Sequence, residues 1–314
     1  MLWTLQKEMI AVRERFQSCW NMRFHTAFGV LVLVFTAYGA DLEPGRLPER
    51  WSGASGNCIQ EPDWTVHEYN DDLYILRESG CLNYEKPFLY LIFGKERALL
   101  LDTGAGRNPG TGAALRLLLT RRETGRKLNP PREVVAVHSH GHGDHVAGDA
   151  ELAAMPGVRV VPAKAEAIAA EFGIREWPAS PGSIDLGDRI LDVLAIPGHE
   201  PASIALYDRK TGVLLTGDTL YPGRIYIRDW PAFRESIRRL TEFAAARPIS
   251  HILGTHIEQS RTPFIDYPTG SVKQPDEHVL ELPFGSLLEI NAIVAASPEK
   301  IGLIRLHDLS LVPR

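Results

Sequence analysis

From residue 73 onward the chain is a succession of short apolar runs, each closed by a glycine or a turn. Residues 73–76 and 88–93 are β-branched or aromatic and predict strands. Gly94-Lys95-Glu96 predicts a hairpin turn into the run 98–101. Further strands are expected at 133–137, 158–161, 189–196, 203–207, 213–216 and 250–253. Helical spacing fills intervals between them, at 112–120, 146–155, 163–172 and 231–246. In the last of these, Phe233, Ile237, Leu240 and Phe243 fall on one face. Strands and helices interleaved in this way make an α/β (α+β) chain. Residues 41–65 are rich in Pro, Gly, Ser and charge and read as a surface linker. The main domain is expected over 66–256, with 257–314 as an extension packed on it.

Chemistry collects where the apolar runs stop. The run 133–137 leads into His138-Ser139-His140-Gly141-His142-Gly143-Asp144-His145. Imidazole and carboxylate suit a borderline-soft divalent ion such as zinc. In extended chain, residues two apart face the same way, so His140 and His142 can grip one ion. Asp144 and His145 follow another turn and can aim at a second position. Three later runs end likewise, at Pro197-Gly198-His199, Gly217-Asp218 and Gly254-Thr255-His256. Strand ends on a rigid sheet are where ligands from distant parts of a chain meet with small positional error. His138 falls where the strand is still running and is expected to point away from the metals. His251 lies inside an apolar strand and reads as a core residue. His278 and His307 stand in the tail without a partner motif.

Composition narrows the class. The 314 residues are 44% hydrophobic, enough for a sizeable core. Net charge is −5 with no long basic block, so no electrostatic footprint for nucleic acid is present. Residues 22–40 have the layout of a secretory signal: Met22-Arg23-Phe24-His25, an apolar run over 27–35, then Ala37, Gly39 and Ala40. The run is shorter than the roughly 20 residues of a membrane span, so cleavage after export fits better than stable insertion. The expected location is periplasmic or secreted. Residues 1–21 read as an extension ahead of a true start at Met22. A long basic leader region and an uncleaved signal anchor are the competing readings. There are three cysteines and no CxxC pair. Cys58 and Cys81 remain after cleavage and either form a disulfide or stand as separate thiols.

The order LLLDTG, HSHGHGDH with Gly148 after it, PGH, TGDTL and a late GTH resembles the metallo-β-lactamase-fold hydrolases over residues 66–256. The resemblance implies an αββα sandwich, two mixed β-sheets flanked by helices, with a two-metal site on one edge. It implies that His140, His142 and His199 hold the first ion, that Asp144, His145 and His256 hold the second, and that Asp218 bridges them. The cofactors would be two divalent ions, zinc first among them. Class B β-lactamases place a cysteine on the second metal or lack the bridging aspartate, so Asp218 argues against an efficient β-lactamase. An aspartate there is shared with glyoxalase II-like thioesterases, lactonases and phosphodiesterase-type members. The tail after His256 carries no obvious counterpart of the glutathione-binding helical domain of glyoxalase II.

Two dications about 3.5–4 Å apart lower the pKa of a shared water towards about 7. The expected activity is therefore hydrolysis, with a metal-bound hydroxide attacking an ester, thioester or lactone-type carbonyl of a small molecule. A phosphodiesterase, a β-lactamase, a di-iron oxygen-handling protein and a non-catalytic metal-binding member are the alternatives. Asp144 is the catalytic candidate, as a ligand that also accepts or relays a proton. Asp102, in the Asp-Thr-Gly turn, either supports the ligand loops or caps its turn. Tyr221, Arg224 and Arg228 follow the bridging Asp218 and are the candidate substrate contacts, with Trp230 packing the next helix and Glu258 behind His256. Oligomeric state is not legible.

Overall fold

The computed structural model describes residues 42–126 and 130–314. The expectations for the leader and the extension before it lie outside these residues.

The first sheet runs in the order β1 (Trp64–Asn70), β2 (Leu73–Glu78), β3 (Phe88–Phe93), β4 (Arg97–Leu101), β5 (Glu133–Val137) and β6 (Val158–Val160). The second, again numbered along the chain, has the order β13 (Glu281–Leu282), β12 (His251–Gly254), β10 (Val213–Gly217), β9 (Ile204–Asp208), β8 (Ile190–Ala195) and β7 (Gly182–Asp185). A small third sheet joins β11 (Arg224–Ile227), β15 (Ser310–Pro313) and β14 (Ile304–Arg305). The described helices are α1 (Thr111–Arg126), α2 (Gly143–Val146), α3 (Asp149–Ala153), α4 (Ala165–Phe172), α5 (Trp230–Ala245) and α6 (Phe284–Ala296). None is long and apolar enough to cross a membrane.

Strand periodicity of two explains the layers. On β2 and β3, Leu73, Ile75, Phe88, Tyr90 and Ile92 face the second sheet, meeting Leu191, Val193, Ile204, Leu206 and Leu215. The alternate residues Tyr74, Leu76, Leu89 and Leu91 pack outward against Leu115 and Leu118 of α1 and Leu152 of α3. The second sheet does the same, with Leu194, Ala205, Leu214 and Ile252 under α5 and α6. Both faces of each sheet are therefore dry, which is why β2 and β3 read as continuous apolar runs rather than alternating ones. The result is the αββα sandwich.

Helix α5 shows how a local signal sets a boundary. Asp229 caps it by accepting the Ala232 N–H at 2.9 Å, and Pro231 supplies the fixed φ suited to a first turn. Phe233, Ile237, Leu240 and Ala244 then face the sheet. The helix expected at 146–155 is instead two short ones, α2 and α3. The backbone between them pairs elsewhere: Thr103 donates to the His145 carbonyl at 2.8 Å and Ala147 to the Gly104 carbonyl at 3.1 Å. A Cβ on Gly148 would sit 2.2 Å from the Thr103 carbonyl oxygen, so only glycine permits this approach.

Parallel pairing decides where the loops meet. β10 is parallel to β12, and β8 and β10 are both antiparallel to β9. The ends of β8, β10 and β12 thus open on one edge. β4 and β5 are parallel as well, and Ile204 of β9 donates to the Ser139 carbonyl at 2.8 Å, which joins the end of β5 to that same edge.

Candidate metal centre

Seven side chains converge on this edge from five chain segments. His140 and His142 follow β5, Asp144 and His145 stand on α2, His199 follows β8, Asp218 follows β10 and His256 follows β12. Gly217 ends β10 at φ +52°, and its missing side chain leaves room for Ser139, whose Cβ would lie 2.7 Å from an added Cβ. That turn aims Asp218 into the cluster.

The donors form two groups. In the first, His140 Nε2 is 2.8 Å from His142 Nδ1 and 3.2 Å from His199 Nε2, which lies 3.0 Å from His142 Nδ1. In the second, His145 Nε2 is 3.2 Å from Asp144 Oδ2 and 3.4 Å from His256 Nε2, itself 3.3 Å from Asp144 Oδ2. Asp218 faces both. Its Oδ2 is 3.5 Å from His199 and 3.8 Å from His140, and its Oδ1 is 3.4 Å from His256 and 3.6 Å from His145. Ligands placed tetrahedrally about 2.0–2.1 Å from an ion lie about 3.3–3.4 Å from one another. The spacing within each group is close to that edge length, and imidazole with carboxylate is the donor set of divalent metals. The residues fit the metal use that the motif implies.

The hydrogen bonds behind the cluster orient the rings. Asp102 Oδ2 accepts the His145 Nδ1–H at 2.9 Å and the Ser139 hydroxyl at 2.9 Å, while Oδ1 accepts the Ser139 N–H at 2.6 Å. Ser139 Oγ in turn lies 3.1 Å from His140 Nδ1. One buried carboxylate thus steers two ligand rings. His199 Nδ1–H donates to the Tyr226 carbonyl at 2.7 Å, and His256 Nδ1–H to the Glu85 carbonyl at 2.9 Å. Each of these bonds fixes its ring with Nε2 facing inward, the usual role of the partner behind a ligand histidine. His142 is reversed, with Nδ1 in the cluster. Ser139 and the carbonyls of Glu85 and Tyr226 had not been singled out from the sequence.

Electrostatics agree with a cation-binding function. Burial and the charge of His145 hold His140 well below its ordinary pKa, and burial with His199 lowers His142 to about 4. In the second group burial works against charging both rings, yet Asp218 and Asp144 raise His256 to about 9, and Asp144 and Asp102 raise His145 well above its usual range. Burial likewise opposes the charge on Asp144 and Asp218, and the neighbouring histidines hold both carboxyls well below theirs. Protons on His145 and His256 therefore occupy the place of positive charge among the carboxylates, and metal uptake must release them.

The site opens where His142 and Asp144 are partly exposed. Of the three candidate substrate contacts, two are committed elsewhere. Tyr221 is 2% exposed and its hydroxyl donates to the Arg224 carbonyl at 2.5 Å, with its ring 5.6 Å from that of His256. Arg224 spends its guanidinium on Glu258 at 2.7 Å, the Tyr267 carbonyl at 2.6 Å and the Tyr226 hydroxyl at 3.1 Å. These contacts fasten the 221–230 segment, part of which is β11. Arg228 is different: it is exposed, and its charge helps depress His142. Trp230 packs on Phe233 and donates to the Ser297 carbonyl at 3.0 Å. His138 bonds Asp149 at 2.8 Å and His251 bonds Tyr69 at 2.8 Å, while His278 and His307 both meet Asp308.

Glu78, at the end of β2, supports the Asp102 turn. Its Oε2 accepts the Ala105 N–H at 2.7 Å, while Oε1 is buried without a partner. Burial, with Asp144 and Asp63 nearby, raises its pKa to about 8. The folded state therefore holds a proton that the unfolded chain has lost, so this contribution is fully present below about pH 4.5 and disappears as pH rises through about 8. Glu78→Gln mimics the neutral acid. Between about pH 6 and 8 the wild-type chain is expected to lose about 2–3 kcal/mol relative to Glu78→Gln in denaturant melts. Parallel stability curves would show that Glu78 is ionised in the fold.

Residues 86–256 match the family model for the metallo-beta-lactamase superfamily. Among curated proteins, the chain is 28% identical over 200 residues to the acyl-coenzyme A thioesterase MBLAC2 of Bos taurus, covering 54% of this chain and 70% of that one. It is also 28% identical over 172 residues to the hydroxyacylglutathione hydrolase of Ectopseudomonas mendocina, covering 48% and 63%. Among solved structures, a metallo-beta-lactamase from Pontibacter korlensis superposes with a TM-score of 0.50 at 20% identity, covering 74% of this chain and all of that one. That likeness concerns the fold alone.

Proposed function

Because the chain belongs to the metallo-β-lactamase superfamily, we propose that it is a binuclear metal-dependent hydrolase of acyl thioesters and related esters. The observation that carries this reading is Asp218, whose two carboxylate oxygens face separate donor groups. His140, His142 and His199 would hold one ion; Asp144, His145 and His256 would hold the other. Zinc suits both sets. Divalent ions held there supply Lewis acidity, bringing a coordinated water's pKa towards about 7 and polarising the substrate carbonyl.

The chain's own residues do the rest. Asp102, Tyr226 and Glu85 fix the ligand rings, so no reorientation is needed when substrate arrives. Asp144 is the partly exposed carboxylate at the opening and would accept a hydrogen bond from water there, relaying its proton rather than keeping it. Arg228 would meet an anionic group on the substrate. The thioester class is supported by the relatives, whose names describe release of an acyl group from a thiol carrier. Export is supported by the 22–40 pattern and by the bond between Cys58 and Cys81, which suits an oxidising compartment.

The test is a substrate panel of acyl thioester, lactone, β-lactam and phosphodiester on the purified full chain. Thioester turnover is expected to exceed the others, to vanish with a chelator and to return with zinc. Turnover that survives complete metal removal, or a preference for the phosphodiester, contradicts the reading.

A further inference from the structure

Lys86 is a buried cation that the proposed chemistry does not use. It is 1% exposed and makes no ion pair among the described residues. Its Nζ donates instead to two backbone carbonyls, of Tyr84 at 2.5 Å and Ser271 at 2.7 Å. Burial lowers its pKa to about 8. Its backbone sits at φ +49°, a region few residues other than glycine adopt. A buried charge with no carboxylate in direct contact is costly, Glu277, Glu85 and Glu258 favouring it only at longer range, and a positive φ adds strain. Both costs fall at one position, directly after Glu85.

Tyr84 and Lys86 flank Glu85, whose carbonyl accepts the His256 Nδ1–H. The Lys86 side chain reaches back to the carbonyl two residues earlier and closes the 84–86 turn around Glu85. Its second bond pins that turn to Ser271, on the segment that follows His256 in the chain. The rest of the loop is fastened too. Ser79 accepts from Leu82 and Asn83, Asn83 accepts from Lys86, and Cys81 is bonded to Cys58. Phe88 donates to the Thr255 carbonyl, one residue before His256.

We propose that Lys86 is a positioning residue for His256: by closing the 84–86 turn against Ser271 it aims the Glu85 carbonyl at Nδ1 and keeps Nε2 directed at Asp144, Asp218 and His145. The proposal rests on the metal-site reading above. It assigns the two ions separate supports, because the first group's His199 depends on Tyr226 of β11, far along the chain from this loop.

The experiment is a zinc titration of the stripped, full-length chain against a chromophoric chelator. His256→Ala first identifies which of the two binding steps belongs to His256. Lys86→Met is expected to weaken that step about 10–100-fold and to leave the other within about threefold, the range typical of partners behind metal ligands. Lys86→Gln, which can reach one carbonyl at most, is expected to fall between Met and wild type. If Lys86→Met does not fold, a selective shift in Lys86→Gln decides the matter. A general structural lesion lowers melting temperature without singling out one step. Equal weakening of both steps, a shift in the step insensitive to His256→Ala, or no shift in a folded variant overturns the proposal. A wild-type chain that takes up fewer than two ions counts against the metal-site reading itself, whereas two ions with unmoved steps counts against Lys86 alone.

Discussion

Asp218→Asn is expected to lower kcat by about 10²–10⁴-fold and to reduce the metal content below two ions per chain. An amide offers one acceptor oxygen and no charge. Asp218 uses both oxygens, one towards His199 and His140 and the other towards His256 and His145. Losing even an outer partner of a metal ligand costs about 10–100-fold, and on the proposed binuclear reading both ions would lose a direct ligand, so the two factors would multiply. The fold is not at risk to the same degree, since the side chain contributes little apolar burial and Thr255 can still bond the amide oxygen. Measuring zinc by mass spectrometry beside thioester turnover separates the effects. A variant with two ions and near-normal kcat would mean that the carboxylate does not bridge.

The second large effect concerns stability. Arg77→Met is expected to cost about 3–5 kcal/mol, the usual penalty for stranding one member of a buried ion pair. Arg77 lies on β2 with its side chain fully buried, and its guanidinium meets Glu277 through two parallel bonds of 2.5 and 2.7 Å. It also donates to the Ser52 carbonyl and lies 4.7 Å from the centre of the Phe88 ring. The methionine leaves Glu277 only 7% exposed and without its cation. With roughly 2–4 °C per kcal/mol for a chain of this size, the melting temperature should fall by roughly 10 °C. Arg77→Met with Glu277→Leu should recover much of this, because removing both charges together leaves none stranded. Additive losses in the double variant would show that the two side chains act independently.

The strands and the His and Asp side chains at their ends were legible in the sequence because both rest on local signals, whereas the sandwich was implied by the resemblance of the motifs. Strands buried on two faces appear as apolar runs, and His140, His199, Asp218 and His256 stand just past the ends of four of them. Helix α6 escaped notice because it is apolar on nearly every side: Leu287, Ile290 and Val294 are buried while Leu288 is 45% exposed, so no polar face marks it out. β11 and β15 are four-residue strands that pair with each other over a long interval of chain, and nothing nearby in sequence announces that pairing. Arg224 looked available for substrate because a sequence shows a charge without its partner; Glu258 is 34 residues away. The carbonyls of Glu85 and Tyr226 carry no side-chain signal, and only the folded chain brings them to His256 and His199.

Counting metal in the purified full-length chain is the most direct check. Inductively coupled plasma mass spectrometry against protein concentration is expected to find two divalent ions per chain, most of them zinc, after equilibration with equal amounts of zinc, iron and manganese. A chain that retains no ion, or that binds one and is fully active with it, would contradict the binuclear centre.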